Sequence, residues 1–188
     1  EGEECNLSLP VCRGDPATGT QSTGVLLYEA PTGVVVNRNT VSGNDSGIYD
    51  SAGSGTHIVS GNVLRDNRYE NLFVDSATLD ANANRISGGA YGAVAVSFGG
   101  ATSSNPALHL NGNTIVGAAK AGIAALREEV GADPPNVSAH FNRIVGNGVG
   151  VDNTGAGTGG VGSEGAIDAT DNWWGCNAGP GQPGCDSV

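Results

Sequence analysis

One spacing pattern constrains this chain more than any other property. The frame apolar-x-apolar-x-x-Asn-x-apolar occurs six times in 188 residues, at 34–41, 57–64, 79–86, 108–115, 137–144 and 167–174. Its anchor asparagines are Asn39, Asn62, Asn84, Asn113, Asn142 and Asn172, separated by 23, 22, 29, 29 and 30 residues. A repeat of this length marks architectures in which each unit buries its apolar face only by stacking on its neighbours.

Inside the frame the apolar residues alternate. Five and three positions before the anchors stand Val34/Val36, His57/Val59, Leu79/Ala81, Leu108/Leu110, Val137/Ala139 and Ile167/Ala169. Two positions after them stand Val41, Leu64, Ile86, Ile115, Ile144 and Trp174. Period two puts these residues on one face of short strands. The anchor between the strands must also face inward, where an amide without partners is costly. Stacked identical amides resolve this by bonding to one another and to the corner backbone.

A third apolar segment follows each corner, at 47–50, 71–75, 93–96, 122–126 and 148–152, with 24–28 as the same segment of an earlier coil. Three strands in about 22 residues make a triangular coil whose strands pair in parallel with those above and below. The fold class expected is all-β: a right-handed parallel β-helix of about six coils, with an inward asparagine ladder and capped ends. Residues 1–23 are expected to cap one end, 24–175 to form the helix, and 176–188 to cap the other. The three later coils are longer, and their extra residues, 97–107, 127–136 and 153–166, are rich in Gly, Pro, Ser and Asn. They read as loops on one edge of the rod, where function concentrates.

The net charge is −11 and only 14% of residues are charged, so a nucleic-acid partner, which requires a basic stripe, is not expected. No apolar run approaches the ~20 residues that span a bilayer, and no membrane insertion is expected. The chain starts at Glu1 without an apolar leader, the expectation for a processed product or an excised segment. The acidic balance leaves calcium open, but no metal site and no cofactor are expected from the motifs.

Four cysteines lie in two close pairs, Cys5/Cys12 and Cys176/Cys185. Six layers at ~4.8 Å put the two ends roughly 25 Å apart, and a disulfide needs Cα atoms within ~7 Å. The expected bridges are therefore Cys5–Cys12 and Cys176–Cys185, in an oxidising compartment: secreted, extracellular or at the cell surface.

The repeat of N-x-I followed by G-I-x-L resembles that of pectate-lyase-like and NosD-like secreted β-helix proteins. The tail Asp171-Asn172-Trp173-Trp174-Gly175, running on to Gly179-Pro180-Gly181, resembles the C-terminal end of such helices in bacterial surface proteins. The resemblance covers roughly 24–181 and implies the fold more strongly than any one activity. It implies that an enzyme of this kind would work on the outer face of the third strands, with carboxylates to hold calcium and a Lys or Arg as base. The outward residues expected there are Leu26, Tyr49, Phe73, Ala95, Ala124 and Gly150, none of them charged. Asp50, Asp75, Asp152, Arg127, Glu128 and Glu129 are expected on loops, in no recognised motif. The aspartate pairs of polygalacturonase-like hydrolases and the DPHE motif of alginate epimerases are absent from the sequence.

Three further features are candidates for function. Tyr49 and Phe73, on neighbouring coils, offer ring faces for glycan contact or for packing against each other. The first-strand outer face carries Asp80, His109, Ser138 and Asp168 in one column, and Asn82, Asn111, His140 and Thr170 in the next. Asp80, His109 and His140 form a polar cluster there that could bind a metal or share a proton, against the plainer reading of a solvated sheet face. Trp174 is expected to cover the last core layer, and His57 to be hydrogen-bonded in its inward position. The function expected is a non-catalytic surface module serving structure, adhesion or assembly. Its partners would be polysaccharide, further copies of itself or other surface proteins. The alternative is a polysaccharide lyase or epimerase acting on an acidic polysaccharide through loops 97–107 and 127–136.

Overall fold

A computed structural model of the chain describes residues 21–98, 105–127, 132–154 and 167–188, together with the backbone of 3–6, 11–14 and 161–162. The protein is an all-β parallel solenoid of about five turns, built from three parallel sheets. The first sheet holds Val35–Asn37, Thr56–Ser60, Thr78–Asn82, Ala107–Asn111, Asn136–His140 and Ile167–Asp168. The second holds Thr40–Ser42, Val63–Arg65, Arg85–Ser87, Thr114–Val116 and Arg143–Val145. The third holds Thr23–Tyr28, Ser46–Ser51, Glu70–Val74, Tyr91–Ser97, Ala121–Arg127 and Val149–Asp152.

The count of six coils is corrected to about five. The sixth frame supplies only the two-residue strand Ile167–Asp168 and one bridge between Arg143 and Trp173 before the chain leaves the sheets.

The register follows the frame. Leu79 lies between His57 and Leu108, which is followed by Val137 and Ile167; Ala81 lies between Val59 and Leu110. Leu64, Ile86, Ile115 and Ile144 form the matching column of the second sheet. These residues, with Ile48, Leu72, Ala93, Ile123 and Val151 of the third sheet, make one continuous buried core.

Each corner is made by the residue before its anchor. Arg38, Gly61, Ala83, Gly112, Phe141 and Asp171 all adopt a left-handed backbone, with φ between 53° and 65°. That turn carries the chain from the first sheet into the second and swings the asparagine inward. The ladder is continuous through all six anchors. The Oδ1 of Asn113 accepts from the backbone N–H of Asn84 at 2.8 Å and from its Nδ2 at 3.0 Å. The Nδ2 of Asn113 donates to the Ala81 carbonyl at 2.8 Å and to Asn142 Oδ1 at 3.0 Å. The same pattern links Asn39 to Asn62, Asn62 to Asn84, and Asn142 to Asn172. Asn62, Asn84, Asn113 and Asn142 are buried; Asn39, at the end of the ladder, is exposed.

A second ladder runs along the next corner, five residues further on. Asn44 donates to Asn67 Oδ1 from its backbone and side chain, and Ala118 N–H donates to Asn147 Oδ1. This ladder ends in the tail: Asp186 accepts from Gly146 N–H, Asn147 N–H and Asn147 Nδ2. The Ser187 carbonyl accepts from Gly150 and Val151, the place an additional strand would take. Trp174 is buried in the core, and Cys176 is bridged to Cys185.

At the other end, Glu3–Asn6 and Val11–Gly14 form an antiparallel pair with Cys5 opposite Cys12. Whether those two thiols are bridged concerns side chains outside the described residues.

Candidate functional site

The third sheet differs from the other two by being apolar on both faces. Its outer face carries a second buried cluster of Tyr91, Val94, Val96, Ala121, Ala124 and Leu126, with Phe73, Ala90 and Val149 packed against it. The strand register corrects two expected outward positions. Phe73 pairs with Val94, and Ala124 with Asp152, so the outward column is Leu26, Tyr49, Phe73, Val94, Ala124 and Asp152. Ala95 points into the core, and Gly150, the second residue of the strand Val149–Asp152, lies level with Gly122 and outside this column. The column therefore ends in a carboxylate, contrary to the expectation of an uncharged face.

The second position of these strands has its own logic. Gly24, Gly47, Gly92, Gly122 and Gly150 occupy it in five of the six third-sheet strands. A Cβ on Gly92 would collide with the Gly122 carbonyl oxygen and lie 2.7 Å from the side chain of Ile115. Asn71 takes the place of glycine on one coil, where its amide accepts from Asn67 and donates to the Ser87 and Gly88 carbonyls. The glycine of the G-I-x-L pattern is thus a requirement of close coil stacking.

On the outer side of this sheet lies a groove of about 200 Å³, lined by Glu70, Phe73, Tyr91, Val94, Val96, Lys120 and Leu126. Its lining mixes apolar side chains with the charged groups of Glu70 and Lys120. The Glu70 carboxylate accepts from Ser46 Oγ at 2.7 Å, and burial raises its pKa above the ordinary carboxylate value. Lys120 Nζ stands 5.3 Å from the centre of the Tyr91 ring, a cation–π distance. The Tyr91 hydroxyl is buried and has no hydrogen-bond partner among the described residues. A buried phenol without a partner forfeits the bonds it made in water. Sequence reasoning missed Glu70, Tyr91 and Lys120, because they stand at or just before the starts of three neighbouring strands whose remaining residues read as plain apolar runs.

Tyr49 and Phe73 do meet, edge to face, with ring centroids 4.5 Å apart and planes at 71°. The Tyr49 hydroxyl donates to Asp75 Oδ2 at 3.1 Å. Burial, then the adjacent carboxylate, push its pKa up to about 12. Rings at this angle do not form a flat stacking platform, so the pair serves mainly to join neighbouring coils. Asp75 also accepts from Ser51, Ser76 and Ala52 N–H, which makes it a corner-bracing group.

The residues expected on loops divide. Asp50 lies wholly inside the core and Asp152 on a strand, while Arg127 ends a strand, is buried, and donates to the Ala132 carbonyl. Glu128, Glu129 and most of the three expected loops fall outside the described residues.

On the first sheet the expected columns are present, with Asp80 beside His109 and Asn111 beside His140. The three candidate residues do not gather. His109 Nδ1 is 2.9 Å from Asp80 Oδ1, whereas His140 turns to Asp168, 3.5 Å away, and to Thr170. Asp80, Ser138 and Asp168 alternate with the histidines along the face, and each imidazole takes its nearest acceptor. Among the described residues no three His, Cys, Asp or Glu side chains converge as a metal site.

The fold places the chain in the class of parallel β-solenoids. No family model matches the chain, and neither a curated protein nor a solved structure matches it.

Proposed function

We propose that the chain is a non-catalytic extracellular β-helix module of the pectate-lyase-like and NosD-like kind, which contacts a glycan along the third-sheet groove. The observation that carries this reading is the groove's chemistry: apolar and aromatic side chains set beside one carboxyl and one ammonium. Such a surface suits the mixed apolar and hydroxyl faces of a sugar chain. Nothing in it pairs a nucleophile with a base, and Glu70 is already engaged by Ser46. The Cys176–Cys185 bridge supports an oxidising compartment. The tail, locked by that bridge, supports a module with a closed end, suited to spacing, adhesion or assembly with other surface proteins or copies of itself.

The test is calorimetric titration with neutral and uronate-containing oligosaccharides, alongside ultraviolet absorbance for unsaturated products with and without calcium. Binding without turnover is expected, weakened at least tenfold by Tyr91→Phe with Lys120→Ala. Sustained turnover abolished by changing Arg127 would replace this reading with that of a polysaccharide lyase.

A further inference from the structure

The second coil breaks the apolar columns at two adjoining positions. Asp50 stands between Leu27 and Val74 in the third sheet, and His57 stands next to Leu79 in the first. Both are completely buried. His57 Nδ1 is 2.7 Å from Asp50 Oδ2, and His57 Nε2 is 3.0 Å from the Pro31 carbonyl oxygen. The other Asp50 oxygen has no hydrogen-bond partner.

The chemistry of these contacts fixes a proton count. A carbonyl oxygen only accepts, so Nε2 must carry a proton to hold Pro31. A further proton must lie between Nδ1 and Oδ2, on whichever atom, because two bare lone pairs at that distance repel. The docked pair therefore holds two protons and is neutral as a unit. Removing one leaves a buried net negative charge and breaks one of the two contacts.

Among the described residues, the surroundings do not relieve that charge. Leu27, Val74 and Leu79 face the pair from the adjacent strands, and the corner at 52–55 has no ionisable group. Asp75, on the corner one coil further, acts on Asp50 with like charge. Glu29, on the corner above, is exposed and of the same sign.

We propose that Asp50 and His57 form a proton-held latch, which ties the first coil's corner at 30–32 to the second coil and releases it as the pH rises. In an opened chain Asp titrates near ~3.9 and His near ~6.5. Between those values the opened pair also holds two protons, and docking is independent of pH. Above ~6.5 the opened pair holds one fewer than the docked pair, so the opening constant rises about tenfold per pH unit. Below ~3.9 the opened pair takes up a third proton and docking weakens again. The raised pKa of Asp50, which arises first from burial, has the same sign on the alkaline side.

Two amides report on the latch. Glu29 N–H donates to the Ser51 carbonyl at 3.1 Å and Gly33 N–H to the Thr56 carbonyl at 2.8 Å, both between the first and second coils. Arg85 N–H, donating to the Asn62 carbonyl at 2.8 Å, serves as the reference. Hydrogen exchange of the whole chain, expressed as protection factors from pH 6 to 9, should show Glu29 and Gly33 losing about tenfold per unit above pH ~7 while Arg85 holds. The double substitution Asp50→Val with His57→Leu restores the pair found one coil on as Val74 and Leu79, and should flatten the profile. Should that variant not fold, Asp50→Asn takes its place with the same expected profile. The nitrogen-15 spectrum of the wild-type His57 ring decides independently, since the latch requires a protonated Nε2 at pH 6. A flat wild-type profile, an equal slope in the folded variant, or an unprotonated Nε2 overturns the proposal.

Discussion

Replacing Asn113 by alanine removes one rung from the middle of the asparagine ladder, and its cost can be worked from the bonds. Four hydrogen bonds are lost: two accepted from Asn84 and two donated, to Ala81 and Asn142. At ~1 kcal/mol net each they sum to about 4 kcal/mol, and the Asn84 backbone N–H, now buried without its partner, adds roughly another. A loss of about 5 kcal/mol is comparable with the whole stability of many domains. Asn39→Ala is the control. Asn39 is exposed, and its side chain donates only to the Asn37 carbonyl and Asn62 Oδ1. Its loss should cost about 1 kcal/mol. Urea unfolding followed by far-ultraviolet circular dichroism measures both. If the two variants fall within about 1 kcal/mol of each other, the ladder is not the seam described here. Asn113→Asp sharpens the test: it retains the acceptor but sets a carboxylate oxygen against two others. It should be no more stable than the alanine variant at neutral pH, and should recover in acid.

Three further outcomes are expected. Gly92→Ala should prevent folding or cost several kcal/mol, because its Cβ meets backbone; Gly112→Ala, with open space around it, should cost only the ~1 kcal/mol of a left-handed backbone, both read from denaturation midpoints. Asp186→Ala removes three bonds to the second ladder and should speed proteolysis of the tail by at least tenfold, without altering the far-ultraviolet spectrum. Glu70→Gln should stabilise the protein at pH 7 and not at pH 4. The folded-state pKa is raised, so wild-type stability falls as the pH climbs above the ordinary glutamate range, and a melting series across pH measures the difference.

The parts of the structure legible in the sequence are those where one face is dry and the other wet. In the first sheet, Asp80 and His109 alternate with Leu79, Ala81, Leu108 and Leu110, and the outward and inward columns could be written down directly. In the third sheet, Tyr91 to Ser97 is buried throughout. With both faces covered, Ala93, Val94, Ala95 and Val96 show no period, so a one-residue slip placed Ala95 outside and hid the groove. Asp50 was misplaced for a related reason. A carboxylate after a strand reads as a loop residue, and only the position of His57 across the corner shows it facing inward. The second ladder left a visible trace, the five-residue spacing of Asn39/Asn44, Asn62/Asn67 and Asn142/Asn147. Gly89 and Ala118 interrupt it, and Asp186 completes it from a distant part of the chain, which no local pattern reveals.

The three long gaps between anchors and the two short ones produce the same hydrogen bonds. Asn39 meets Asn62 across 23 residues and Asn113 meets Asn142 across 29, with the same contacts to backbone and side chain. Axial rise is thus uncoupled from contour length. The spare chain of each longer coil leaves at a single corner, beside the third-sheet strands. Segments can be lengthened, shortened or exchanged there without shifting any layer above or below. A scaffold of this kind lets its sequence diverge at one edge while its spacing stays metrically constant.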